Sequence, residues 1–176
     1  MTRIELEHII RAAAGISADE EIVIIGSQAI LGQFPNAPES LRRSMEADVF
    51  PRNFSERWDL IDGSIGEGSV FHETFGYYAQ GVEARTAVLP SGWQARLIRI
   101  CNENTRGATG WTLEVHDLVV AKYVAGRDKD VVFNREIAGH KMASGAILLE
   151  RLVDTQVEAA VRALVEARIR ADFGVG

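Results

Sequence analysis

Apolar positions recur at spacings of three and four at the start of the chain. Leu6, Ile9, Ile10, Ala13 and Ala14 predict a helix over residues 2–14, with Gly15 as its stop. Glu20 and Glu21 lead into Ile22-Val23-Ile24-Ile25, a β-branched run between turn signals and the pattern of a buried central strand. Gly26-Ser27 follows at once, and a short helical segment follows that. Residues 35–43, PNAPESLRR, hold two of the chain's four prolines and read as a loop. From Ser44 to Phe50 the period drops to two. Met45, Ala47 and Val49 face one way, and Ser44, Glu46 and Asp48 the other. The predicted order is strand, Gly-Ser turn, helix, then a strand with two carboxylates on one face.

Further along, Phe54, Trp58 and Ile61 predict a short helix over 54–62, and Gly63, Gly66, Gly68 and Gly76 break up a loop that carries His72 and Glu73. Short extended pieces are predicted at 77–82, 85–89 and 96–100, with a turn at Pro90-Ser91-Gly92. Residues 102–110 read as polar turns and 112–115 as a last strand. The chain then turns helical. Asp117 is expected to cap a helix running to about Gly126, with further helices at 129–142 and 148–153. Thr155-x-x-Glu158 has the form of a capping box opening a helix whose apolar side is Val157, Ala160, Val161 and Leu164. The reading is α+β: a mixed sheet flanked by helices over 1–116, with a helical segment, 117–176, packed on it.

The 176 residues fit one domain with a real core, since 47% are apolar. A formal charge of −6 argues against bulk-charge coating of nucleic acid. The single cysteine, Cys101, excludes an intramolecular disulfide and suggests a reducing compartment. Charges inside the apolar pattern of the first ten residues do not suit a signal peptide, and no apolar run approaches the length of a membrane span. The expectation is a cytoplasmic protein without a membrane partner.

Three places carry candidate chemistry. At Gly26-Ser27 a glycine permits close approach, and N–H groups opening the next helix would favour an anion. The plainer reading is a strand-to-helix turn with Ser27 as N-cap. At Glu46 and Asp48 two carboxylates share a strand face, close enough to grip a hard cation such as Mg²⁺, or else form a solvated face. At AKYVAGRDKD, Lys122, Arg127 and Lys129 alternate with Asp128 and Asp130 across a helix junction. Lys122 could aim at a metal-bound phosphate, or the run is a surface of mixed charge capping two helices.

Together and in this order, these stretches resemble the DNA polymerase β-like nucleotidyltransferase superfamily. The nearest likeness is to AbiEii-type toxin nucleotidyltransferases and a related bacterial domain family of unknown function. The carriers are Gly26-Ser27 after an apolar strand, Glu46-Ala47-Asp48, DLVVAKYVAGRDKD at 117–130, and the segment Ile65 to Leu97. The resemblance implies a nucleotidyltransferase-type mixed sheet and transfer of a nucleotidyl group from a nucleoside triphosphate. It assigns Gly26 and Ser27 to the triphosphate and Glu46 and Asp48 to Mg²⁺ or Mn²⁺. It matches Lys122 and Asp130 to functional motif residues, with Arg127 beside them toward the nucleotide. The acceptor is left open among RNA, a protein and a small molecule, and, if the chain is a toxin, the resemblance implies an antitoxin partner. Three departures stand out. Eighteen residues separate Ser27 from Glu46, the first carboxylate is Glu rather than Asp, and no third carboxylate is evident beyond the positions of Glu83 and Glu114. The alternative is a catalytically inactive nucleotide-binding or interaction module on the same fold.

Overall fold

The computed structural model describes residues 1–175 and divides into two compact units. The first comprises Met1–Thr86 and Leu97–Leu113, and the second Ala87–Arg96 and the chain from Glu114 onward.

The first unit is built on a five-stranded mixed sheet: β1 (Glu21–Ile24), β2 (Glu46–Pro51), β3 (Tyr78–Gly81), β4 (Ile98–Ile100) and β5 (Thr109–Thr112). Their spatial order is β3-β2-β1-β5-β4. β1 is central, antiparallel to β2 and parallel to β5. β2 and β3 run parallel, with Glu46 opposite Tyr78 and Asp48 opposite Gln80. The helices here are α1 (Arg3–Ser17), α2 (Ile30–Gln33), α3 (Trp58–Ile65) and α4 (Val70–Phe75). A capping box opens α1: Thr2 accepts from Glu5 N, and Glu5 accepts from Thr2 N. Leu6, Ile9, Ile10 and Ala13 of α1 are fully buried with Ile22, Ile24, Ala47 and Val49. Gly110 admits the helix closely, because a Cβ there would lie 2.4 Å from Ile10 Cδ1. α1, α2 and α3 therefore cover one face of the sheet. Period two along β2 then sends Glu46 and Asp48 to the other face.

Asp19 ties the start of β1 to the end of β2. Only 3% exposed, its carboxylate accepts from Glu21 N (3.0 Å), Asn53 N (2.7 Å), Phe54 N (3.2 Å) and Asn53 Nδ2 (2.9 Å). Burial alone would raise this carboxyl. The hydrogen bonds from Asn53, Glu21 and Phe54 outweigh it and hold the group below its ordinary value of 3.8. Asp19→Ala would orphan several N–H groups, and urea unfolding at pH 7 is expected to show a loss of about 3 kcal/mol. A carboxyl with a lowered folded value stabilises above its unfolded value and loses that contribution as pH falls. The gap between wild type and Asp19→Ala should therefore close as pH drops below 3.8.

The second unit holds α5 (Val115–Ala125), α6 (Asp128–Gly139), α7 (Gly145–Val153) and α8 (Ala159–Phe173). α5 is buried along most of its length, from Val115 through Tyr123, as befits a helix apolar nearly all round. Within this unit α6, α7 and α8 each pack against α5. The Asn134 amide donates to Val119 O (3.1 Å), and the Tyr123 hydroxyl donates to Asp172 (2.8 Å). Residues 87–96 join these helices through Arg96, which makes a two-pronged pair with the fully buried Asp117 (2.8 and 2.9 Å).

Several sequence expectations shift. Helix α1 runs through Gly15 to Ser17, and Ala18 at φ 52° ends it. Residues 85–89 form no strand. The expected last strand lies earlier, at Thr109–Thr112. His72 and Glu73 sit in helix α4, not in a loop. Glu114, not Asp117, caps α5. The capping box at 155–158 does not form: Thr155 donates to Arg151 O instead (2.8 Å), and Glu158 is the N-cap residue of α8. The buried side of α8 is Val165 and Ile169, while Leu164 is 51% exposed.

Candidate active site

β1 ends at Ile24, and its hydrogen bonding to β2 continues one step further, with Ile25 N donating to Asp48 O (3.1 Å). Gly26 then leaves the sheet and opens a 3-10 turn, Ser27–Ala29, that runs into α2. This brings the turn onto the Asp48 side chain. A Cβ built on Gly26 would lie 1.6 Å from Asp48 Oδ2 and 2.6 Å from Cγ. The backbone of Gly26 is extended, with φ −82°, so glycine is required here by space and not by dihedral angle. The Gly-Ser turn and the carboxylate strand thus lie side by side at Gly26 and Asp48.

Glu46 and Asp48 are part-exposed on the same face of β2, and Ala47 between them is buried. Across the parallel ladder the face continues with Tyr78 and Gln80. The Tyr78 hydroxyl donates to Glu46 Oε2 (3.2 Å). Burial, then the charge and hydrogen bond of Glu46, then the charges of Glu67 and Asp48, push the Tyr78 phenol up to about 12. Tyr78 therefore keeps its proton at neutral pH and steadies Glu46 as a neutral donor. Gln80 donates to Asp62 Oδ1 of α3 (2.7 Å), an oxygen that also accepts from Gly81 N (3.2 Å). The His72 ring of α4 packs on Tyr78, with centroids 4.6 Å apart.

Tyr78 and Gln80 escaped the sequence reading, whereas His72 was marked there together with Glu73. The alternation in YYAQG was visible, but nothing local said that this stretch would pair with β2 in a register that places Gln80 beside Asp48. Neither position suggested for a third carboxylate adds to this strand face. Glu83 lies beyond β3 and pairs with Arg85, while Glu114 caps α5 and accepts from His116 N (3.0 Å). Among the described residues, no three His, Cys, Asp or Glu side chains converge as a metal site. Two carboxylates on one strand face still suit a divalent cation whose remaining oxygens come from substrate phosphates and water, which is how Mg²⁺ is usually held.

The motif residues of the helical unit form a cluster of their own. Lys122 Nζ donates to Asp130 Oδ1 (2.8 Å), Arg127 Nε donates to Asp130 Oδ2 (2.6 Å), and Lys122 Nζ sits 4.5 Å from the centre of the Phe133 ring. Asp130 is fully buried and the Lys122 side chain is 8% exposed, whereas that of Arg127 is 62% exposed. Burial alone would raise the Asp130 carboxyl, but the hydrogen bonds and charges of Arg127 and Lys122 hold it below the usual aspartate value. The alternation of charge in the sequence thus resolves into an inward pair, Lys122 with Asp130, and an outward arginine.

A family model described as nucleotidyltransferase of unknown function (DUF6036) matches residues 4–165. No curated protein and no solved structure matches the chain. The match spans the sheet, the Gly-Ser turn, both carboxylates and the Lys122–Asp130 cluster, and the chain belongs to this nucleotidyltransferase family.

Proposed function

We propose that the protein is a metal-dependent nucleotidyltransferase that moves a nucleotidyl group from a nucleoside triphosphate to an acceptor hydroxyl. One observation carries the reading: the carboxylate of Asp48 fills the space over Gly26 that any side chain would occupy. A glycine turn able to receive a phosphate closely and a carboxylate pair able to hold a cation meet at one point. In this reading Gly26 and Ser27 cradle the triphosphate, and Glu46 and Asp48 hold Mg²⁺ or Mn²⁺. The hydroxyl attacks the α-phosphorus and pyrophosphate leaves. A bound cation would neutralise phosphate charge and make the attacking hydroxyl more acidic. The protein's own part is to position the groups, and positioning with charge neutralisation supplies most of the rate in such transfers.

The proposal extends to the helical unit on the strength of the 117–130 stretch. Lys122 and Arg127 are assigned to the nucleotide, and Lys122 and Asp130 to catalysis. From the same resemblance we propose a toxin role with an antitoxin partner, the acceptor being RNA, a protein or a small molecule. A cytoplasmic setting suits the exposed thiol of Cys101. A second reading, nucleotide binding without turnover, draws on Gln80. β3 presents an amide beside Asp48 where a further carboxylate would strengthen cation binding.

The site is tested by titrating Mn²⁺ into the protein with each of the four ribonucleoside triphosphates and following the free Mn²⁺ resonance. Wild type should bind cation and nucleotide together, and Glu46→Gln with Asp48→Asn should not. Equal binding by both proteins would remove the carboxylate pair from the site.

A further inference from the structure

His72 is the one histidine beside the carboxylate face that the proposed chemistry leaves unused. Helix α4 fixes it from both ends. Ser69 caps the helix by accepting from His72 N (3.1 Å), and Gly76 at φ 77° closes it. The ring is held twice more: it lies tilted against Tyr78, and its Nδ1 accepts from Gly68 N (3.0 Å). A backbone N–H can only donate, so Nδ1 carries the lone pair and Nε2 carries the proton. The Nε2–H has no hydrogen-bond partner among the described residues, and the side chain is not buried. The structure thus spends a helix cap, a ring contact and a backbone hydrogen bond to fix one donor in a single tautomer. The ring that carries this donor lies against the tyrosine bonded to Glu46.

The donor could serve a metal, a base or an anion. A metal role at Nε2 is out of reach, because a protonated Nε2 offers no lone pair. General-base work fails for the same reason. If the carboxylate face receives the triphosphate as proposed, an N–H on a ring packed against Tyr78 fits a non-bridging phosphate oxygen, a strong acceptor that rewards a preplaced donor.

We propose that His72 is a nucleotide-binding residue whose Nε2–H donates to a non-bridging oxygen of the triphosphate. The inference rests on the nucleotidyltransferase reading of Glu46 and Asp48 and adds a recognition residue to it.

Two variants separate the two edges of the ring. His72→Asn places an amide oxygen near Nδ1, so it can keep the Gly68 hydrogen bond while removing the outward donor. His72→Gln reaches further and restores an N–H near the position of Nε2. The dissociation constants of the four ribonucleoside triphosphates are measured by calorimetry with MnCl₂ for wild type and both variants, beside thermal unfolding of each. The expected result is binding about tenfold weaker in His72→Asn, with partial recovery in His72→Gln and the same small drop in unfolding temperature in both variants, from the lost ring contact. If wild type and His72→Asn bind a triphosphate equally, the role of His72 is overturned and the carboxylate site stands. If wild type binds no triphosphate, both fall together. If His72→Asn weakens binding only in step with a lower unfolding temperature and His72→Gln recovers nothing, the histidine is structural and the proposal is overturned.

Discussion

Gly26→Ala is expected to lower nucleotidyl transfer by about 100-fold or more while leaving the protein folded. The new methyl would sit 1.6 Å from Asp48 Oδ2, 2.6 Å from Cγ and 3.0 Å from Cβ. No atom tolerates the first two distances, so the carboxylate has to swing away. The movement is confined to a part-exposed side chain, and the backbone of Gly26 lies where alanine is comfortable. The cost in stability should therefore be that of mild overpacking, about 1–3 kcal/mol. The cost in function should be larger, because displacing a catalytic group by about 1 Å is enough to cost about two orders of magnitude. Steady-state rates and a thermal melt on the same preparation separate the two. A variant that keeps its rate would show that the contact between the turn and Asp48 is incidental.

The second large effect is on stability and lies in the helical unit. Asp130 is fully buried and shared by Lys122 and Arg127. Removing one member of a buried ion pair costs about 3–5 kcal/mol, because the remaining charge stays in a poorly solvating place. Asp130→Ala should accordingly lower the unfolding temperature by roughly 10 °C or more. Replacing Lys122 and Asp130 together, as Lys122→Met with Asp130→Leu, should recover much of that loss, since paired buried charges often contribute little beyond an apolar pair of similar volume. Acid should mimic the single change. With its folded value held down, Asp130 stabilises fully above the unfolded aspartate value of 3.8, and the contribution is lost as pH falls below it. Differential scanning calorimetry of the single and double variants between neutral pH and pH 3 measures both effects.

Where the sequence was most legible, a short period was written into consecutive residues. Alternation over 44–50 placed Glu46 and Asp48 on one face, and the structure keeps them there because Ala47 and Val49 are fully buried on the other. The apolar run before Gly26 marked the central strand for the same reason. What escaped depended on partners distant in sequence. Gly15 reads as a helix stop, yet a glycine costs a helix only about 1 kcal/mol relative to alanine. The burial of Ser17, whose hydroxyl donates to Ala13 O, carries α1 past it. Thr155 and Glu158 have the spacing of a capping box, but Thr155 is drawn back to Arg151 O, and the apolar face of α8 moves on to Val165 and Ile169. Asp117 looked like a helix cap because its hydrogen-bond partner, Arg96, lies 21 residues earlier in a segment that belongs to the helices. The register that sets Tyr78 and Gln80 of β3 beside Glu46 and Asp48 was invisible for the same reason. Local pattern names the faces of an element, but only the fold decides which faces meet.

The most direct test of a nucleotidyl transfer site at Gly26, Glu46 and Asp48 follows the label from the two ends of the triphosphate. The protein is incubated with total RNA and total protein, Mg²⁺ or Mn²⁺, and nucleoside triphosphates labelled at the α- or the γ-phosphate. Transfer from the α-label to a macromolecule, release of the γ-label as pyrophosphate, and loss of both in Glu46→Gln with Asp48→Asn are the results this account predicts. Retention of the γ-label on the acceptor would mean phosphoryl rather than nucleotidyl transfer. Undiminished α-label transfer by the double variant would place the chemistry elsewhere in the molecule.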